Sequence, residues 1–452
     1  MTKSPFELTM EVARAVRSAG GRALIVGGYP RDLALGLVPK DIDIEVYGLE
    51  VPGLLAIVEP IHPVSQVGAS FGVLKMGPLD ISLPRTDSST GRGHRGFTVQ
   101  SNPYLTHKEA AHRRDFTVNA MAFDPLTDEL FDEYGGMEDI RHKVLRAVDL
   151  ETFKEDPLRT LRAMQFAGRF EFILDPATAE LIRELDLSEL STERVGEEWQ
   201  KLLIKSKHPS IGLRVAQKLN IISKLHPELD TLIGTQQDPL WHPEGSVWNH
   251  TLLALDVAAE IVRREDIRFD DALVLMLATL CHDFGKPATT ALIDGRLRSP
   301  GHSQAGLEPA RRFMKQLHIP HSIAVKVMHL IADHMFLIDV SHAKDAAIRR
   351  LAKRLAPATI KQLVWLSEAD YRGRTRKEWD TSPITLLAAR ARDLEVDTMP
   401  LRPLVRGQDL IGLGVQPGKE MGNILLKLEQ AQMEGAFGTR EHGLLFYRDK
   451  IQ

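Results

Sequence analysis

The chain changes its hydrophobic rhythm near residue 150. Before that point short apolar runs are bounded by Gly or Pro; after it, apolar positions recur at helical spacing. "ALIVGG" (Ala23 to Gly28), "IDIEVYG" (Ile42 to Gly48), "FGVLKMG" (Phe71 to Gly77) and "LDISLPR" (Leu79 to Arg85) have strand length and turn-forming borders. The leading "MTKSPFELTMEVARAVRSAGG" reads as an amphipathic helix and lacks the apolar core of a signal peptide. A Pro-bearing, His-rich break, "QQDPLWHPEGSVWNH" (Gln236 to His250), divides the helical part. The pattern predicts an α+β protein: a small mixed β-sheet, followed by all-α segments. The changes of pattern fall near residue 150 and near residue 240.

Composition narrows the class. With 452 residues, 43% hydrophobic and 26% charged, the chain suits a globular protein of several domains. The longest apolar run, "ALVLMLATLC" (Ala272 to Cys281), is too short to span a bilayer, so no membrane partner is expected. A single cysteine, Cys281, excludes an internal disulfide framework and fits a reducing cytoplasm. A net charge of −4 excludes a uniformly basic nucleic-acid binder. Yet residues 341–377 hold ten Lys/Arg against three Asp/Glu, which suits either a solvated face or an RNA-backbone contact.

"VGGYPRDLALGLVPKDIDIEVYG" (Val26 to Gly48) carries the first chemistry. A dinucleotide-binding turn would need G-x-G-x-x-G and a single acid about 20 residues on, and that spacing is absent. Strand alternation puts Asp41 and Asp43 on one face, with Ile42 and Ile44 toward the core. Two carboxylates on one face repel unless a cation lies between them, and magnesium takes carboxylates together with substrate phosphates. Gly27 and Gly28 let the backbone approach a triphosphate, with Arg31 one turn into the next helix to pair with it. The competing interpretation is a strand with a solvated acidic face.

Gly-Gly, twelve residues, then Asp-x-Asp resembles the polymerase β-like nucleotidyltransferase superfamily. Asp80, in "LDISL", stands where that superfamily often places a third acid. "RRDFTVNAMAFD" (Arg113 to Asp124), "FDEYGGMEDIRHKVLRAV" (Phe131 to Val148), "EDPLRTLRAMQFAGRF" (Glu155 to Phe170) and "ERVGEEWQKLL" (Glu193 to Leu203) follow in order. Together they resemble the bacterial and eukaryotic class of tRNA nucleotidyltransferase, the CCA-adding enzyme. That resemblance implies a catalytic head over 1–148, a helical neck and body over 149–235, and a tRNA-holding tail over 381–452. "RGQDLIGLGVQPGKEMGNIL" (Arg406 to Leu425) is similar to a tail segment of the family. It further implies Asp41 and Asp43 as catalytic ligands of two magnesium ions, CTP and ATP as substrates, tRNA as partner and pyrophosphate as product. Arg114 and Asp115 carry over as nucleotide and ribose contacts, with Asn119 beside them. Members that add only CC lack a flexible loop where "SSTGRGHRG" (Ser88 to Gly96) stands, which implies full CCA or A-only addition. Poly(A) polymerases share the head motifs but usually carry a basic C-terminal extension, which this chain does not show.

"EDPLRTLR" reads as a helix start, with Asp156 and Arg159 three apart on one face. Cytosine and adenine each present an amino donor beside a ring-nitrogen acceptor. Asp156 could accept from the first while Arg159 donates to the second; uracil and guanine would oppose both contacts. The same motif adds Arg162 to the nucleotide-binding set. Helix capping plus an ordinary i,i+3 salt bridge is the alternative.

In the second helical block His250, then adjacent His282 and Asp283, then Asp370 in "SEADYRGR" follow in an order that resembles the HD phosphohydrolase superfamily. Two imidazoles and two carboxylates can hold a divalent metal (magnesium, manganese, nickel or cobalt) with positions left for water. His302 and His334 are accessory candidates. The expected architecture therefore places an HD domain over 236–380. The alternatives are an HD phosphohydrolase with a degenerate nucleotide-binding head, or an HD fold kept only as a tRNA-holding relic.

Overall fold

The computed structural model describes residues 3–39, 41–67, 73–89, 97–339, 342–375 and 380–452. Most of the Gly-rich loop lies outside these residues. β1 (Arg22–Val26) and β2 (Ile42–Tyr47) form where the apolar runs predict; β3 (Ser65–Val67) follows where no run had marked a strand, and β4 (Val73–Met76) and β5 (Leu79–Ser82) again match predicted runs. A hairpin of β6 (Arg85–Ser89) and β7 (Phe97–Ser101) follows, then β8 (Ala122–Asp124) and β9 (Glu129–Phe131). Seven of these strands make one mixed sheet in the order β3-β4-β5-β2-β1-β8-β9. β2 runs antiparallel to β1 and parallel to β5, a register that sets Asp43 opposite Asp80.

One face of the sheet is sealed by the helix Pro5–Ser18. Ser4 and Glu7 form a capping box at its start, and Leu8, Val12 and Val16 pack on Ile25, Ile44 and Ile81. Burying each such side chain contributes about 1.5–3 kcal/mol. Ile42 and Ile44 are buried while Asp41 and Asp43 reach solvent, as alternation requires.

The chain divides into two compact units. The first holds residues 1–198 and 211–225, including the sheet and the helix Leu158–Phe170. The second holds residues 199–210 and 226–452 and is almost entirely helical; Ala291–Ile293 and Arg296–Arg298 add a small hairpin the helical rhythm did not predict. Its centre is the helices Val247–Arg264, Phe269–Cys281, His321–Asp333 and Ile360–Gly373. Among the described residues, no helix is long and apolar enough to cross a membrane.

The basic run in this second unit is largely ion-paired. Arg350 and Lys353 pair with Glu434 and Glu429, Arg354 with Asp333, and Arg372 with Glu260 and Glu368. Arg374 is held by Asp370. The excess of positive charge in the sequence therefore overstates the free charge on this face.

Candidate active sites in the head and the HD domain

In the head, the turn between β1 and the helix Gly28–Ala34 brings three elements together. Gly27 has φ of 75°, in the region that favours glycine, and a Cβ there would lie 3.4 Å from both Arg114 Nη1 and Asp43 Oδ2. The glycine thus opens the gap in which the guanidinium and the carboxylate face each other. Partial desolvation of the Asp43 carboxylate raises its pKa; Arg114 opposes that rise, while Asp80, Asp41 and Glu45 add to it. Asp41, Asp43 and Asp80 together, with Arg114 facing Asp43, fit a divalent ion.

Arg31 is turned inward. It is buried, donates to Asn119 Oδ1 at 2.5 Å and to Asp32 Oδ1 at 2.6 Å, and lies 4.5 Å from the centre of the Phe170 ring. In this structure the guanidinium braces the turn against the helix Leu158–Phe170. Asn119 Nδ2 in turn donates to Asp115 Oδ1 at 3.0 Å, and Arg162 Nε donates to Asp115 Oδ2 at 2.6 Å. Burial would raise the Asp115 pKa, but Arg162 and Asn119 more than offset it.

The expected helix start also needs correction. Glu155 ends one helix, Leu150–Glu155, and the next begins at Leu158, with Asp156 and Pro157 between them. Pro157 fits because it has no N–H to satisfy. Pro157 occupies the cap position; Asp156, just before it, accepts from Leu158 N at 3.2 Å, and its salt-bridge partner is Arg194 at 2.9 Å rather than Arg159. Arg159 donates instead to two carbonyls, Thr152 O at 2.8 Å and Arg113 O at 2.5 Å. Arg194 was overlooked as a site residue although it stands in the quoted "ERVGEEWQKLL" motif.

The HD centre brings together all six residues expected from the sequence. His250 lies in the first turn of its helix, His282 and Asp283 follow the apolar helix Phe269–Cys281, and Asp370 comes from Ile360–Gly373. His250 Nε2 lies 3.0 Å from Asp370 Oδ1, and His282 Nε2 lies 3.2 Å from Asp283 Oδ2. His302 Nε2 is 3.1 Å from His334 Nε2 and 3.5 Å from Asp283 Oδ1. His250 Nε2 and His282 Nε2 are buried and make no hydrogen bond among the described residues, although both face carboxylate oxygens. Two unsatisfied imidazole nitrogens beside carboxylates suit a metal better than a hydrogen-bonded core. The ligand atoms of His250, His282 and Asp283 lie within 4.8 Å of one another, as do those of Asp283, His302 and His334.

Four further residues were not singled out from the sequence. Glu244 is nearly inaccessible, and its Oε1 lies 2.9 Å from both His250 Nδ1 and His242 Nδ1. The carboxylate is held well below its usual pKa: burial opposes this, but both histidines outweigh it. An ionised carboxylate only accepts, so both Nδ1 atoms donate to Glu244, and His250 presents Nε2 to Asp370 at the centre. His242 and Glu244 sit inside the break whose composition had marked only a boundary. Lys286 Nζ lies 2.7 Å from Asp283 Oδ2, and Arg374 Nη2 lies 3.0 Å from Asp370 Oδ2. Burial would raise the Asp283 pKa; His282, Lys286 and His302 instead hold it well down. Burial and the His282 charge push His334 down to about 4. A cavity of about 720 Å³ opens over Asp283, His302, His334 and Asp370, with Lys286 and Arg374 on its wall.

Comparison with known proteins agrees with this two-part construction. Residues 23–146 match the poly A polymerase head domain, 171–233 the probable RNA- and SrmB-binding site of polymerase A, and 247–391 the HD domain. The multifunctional CCA protein of Xylella fastidiosa is 32% identical over 400 residues, covering 82% of this chain and 91% of that protein. That of Xanthomonas campestris pv. campestris is 34% identical over 395 residues, covering 82% and 92%. The chain belongs to the multifunctional CCA protein family, nucleotidyltransferases that carry an HD domain. Its fold is that of the Bacillus stearothermophilus CCA-adding enzyme solved with CTP, with a TM-score of 0.67, 20% identity, and 99% and 98% of the two chains covered. Nucleotidyltransferases of this family generally use a divalent metal.

Proposed function

We propose that this chain adds or repairs the 3′-terminal CCA of tRNA from CTP and ATP without a nucleic-acid template, releasing pyrophosphate in the cytoplasm. The observation that carries the chemistry is the gap at Gly27, where Asp43 and Arg114 face each other. Asp41 and Asp43 would hold magnesium, which when bound supplies charge neutralisation for the triphosphate and activation of the tRNA 3′ hydroxyl. Arg114 and the backbone at Gly27 and Gly28 receive phosphate oxygens. Asp115, fixed by Arg162 and Asn119, takes the ribose. The intact acids and arginines of the head favour this reading over a degenerate nucleotide-binding module.

Base choice falls to Asp156 and Arg159. Asp156 accepts from the exocyclic amino group, and Arg194 holds its carboxylate in place. Arg159, pinned on two carbonyls, donates to the ring nitrogen. Arg159→Ala should cut the ratio of kcat/KM for CTP to that for UTP by about 5- to 150-fold, since one base contact is worth about 1–3 kcal/mol. An unchanged ratio on a tRNA ending before C75 would reject Arg159 as the base reader. Incubating tRNAs that end before C74, C75 or A76 with CTP and ATP, and reading product length, separates full CCA addition from A-only and poly(A) synthesis.

The second centre is proposed to hydrolyse phosphoesters. His250, His282, Asp283 and Asp370 would hold a divalent metal, magnesium, manganese, nickel or cobalt, which when bound supplies an activated water. Lys286 and Arg374 place positive charge where phosphate oxygens would enter the cavity. Absence of hydrolysis by the purified chain with all four metals would make this centre a structural relic.

A further inference from the structure

Glu45 continues the face that carries Asp41 and Asp43, yet it is 1% exposed while they reach solvent. It is enclosed by donors. Arg113 Nη2 lies 3.1 Å and Arg114 Nη2 3.5 Å from Oε1, and the Tyr47 hydroxyl donates to Oε2 at 2.8 Å. Burial would raise the pKa of such a carboxyl, but Arg114, Arg113 and Tyr47 keep it low, so Glu45 stays charged.

Each arginine leads somewhere specific. Arg114 runs back to Gly27 and faces Asp43. Arg113 offers its own backbone carbonyl to Arg159 Nη2 at 2.5 Å. One carboxylate on the catalytic strand thus anchors both the phosphate-side arginine and the residue on which the base-side arginine rests. Its oxygens are already engaged by two guanidiniums and a hydroxyl, an environment suited to positioning and unsuited to a metal ligand.

We propose that Glu45, through Arg113, is a positioning residue for nucleotide selection, coupling the acids of β2 to Arg159. This rests on Arg159 reading the base. Glu45→Gln keeps the shape and removes the charge that both arginines share. It should lower kcat/KM for CTP by about tenfold, mainly through KM, because hydrogen bonds to charged groups are the stronger ones. The CTP-to-UTP ratio should fall with it, while the magnesium concentration giving half-maximal rate stays unchanged.

Because Glu45 is buried, Arg113→Ala supplies a second variant: its side chain is 21% exposed, and its removal leaves Glu45 paired with Arg114 and Tyr47. It should lower the same ratio, and the double variant should be no worse than the poorer single one, since both cut one path. Thermal melting of each variant reports folding separately. If Arg159→Ala lowers the ratio while Glu45→Gln and Arg113→Ala leave it intact, the proposal is overturned and the base-reader assignment stands. Additive losses, or a shifted magnesium requirement in Glu45→Gln, overturn it as well. No effect of Arg159→Ala would remove the base-reader assignment itself, and this coupling with it.

Discussion

The two candidate centres solve the same electrostatic problem in opposite ways. In the head, Asp41 and Asp43 reach solvent on the surface of a sheet, and the charge opposite Asp43 is Arg114. In the HD domain, His250, His282 and Asp283 are each at most 1% exposed, and Asp283 and Asp370 have Lys286 and Arg374 at 2.7 and 3.0 Å. The head is an open surface that its substrates must complete. The HD centre is assembled before anything binds. Preassembly needs helices to converge and bury charge, whereas an open face needs only alternation along one strand.

The sharpest test of that contrast is removal of the acids. Asp41→Ala or Asp43→Ala should lower CTP and ATP incorporation by about a hundred- to a thousandfold, the scale expected when charge stabilisation of a transition state is lost. tRNA affinity, read by gel shift, should stay close to that of the parent chain. Substantial addition by both variants would break the assignment. His282→Ala combined with Asp283→Ala should reduce phosphate release to background and spare nucleotide incorporation. Loss of both activities would mean the two centres are not chemically separate.

A smaller effect probes the preassembled character itself. Glu244→Gln leaves the cavity's shape but weakens the hold on the His250 and His242 Nδ1 protons. Metal affinity, titrated calorimetrically with manganese, should fall about 10- to 100-fold. An equal affinity would show that the carboxylate does not orient the ligand.

A different readout tests the stability of the helical unit. His226 is buried, accepts from Trp199 Nε1 at 3.0 Å, and burial depresses its pKa to about 4. An unfolded histidine titrates near 6.5, so between these values the unfolded state binds the extra proton. Its contribution is complete above about pH 6.5 and is lost as pH falls toward 4, a change of about 3 kcal/mol. Melting temperatures across that range should fall less steeply in His226→Gln; an identical slope would exclude His226 as the source.

How much of this could be read from the chain depended on distance along it. Asp41 and Asp43 were legible because strand alternation is local, and His282–Asp283 because adjacency is visible without a fold. Glu45 shared the same alternation, but the arginines that bury it begin 68 positions later. Asp156 looked paired with Arg159 at helical spacing, while its partner stands 38 positions on, beyond a helix break that Pro157 creates. Glu244 lies only six positions from His250, close enough to notice. It was missed because a Pro- and Gly-rich stretch resembles a linker whether or not a carboxylate inside it holds a histidine.

The row that runs from Arg162 through Asp115, Asn119 and Arg31 to Asp32 has a consequence for how the family can change. Each of the three inner members, Asp115, Asn119 and Arg31, satisfies two neighbours, so losing one leaves a polar group uncompensated on each side, at about 1–3 kcal/mol or more. A lineage cannot drift through such a row one residue at a time without passing through poorly folded intermediates. Substitutions there should arrive as matched pairs, and across many relatives Asn119 should vary in step with Arg31 and Asp115 rather than independently.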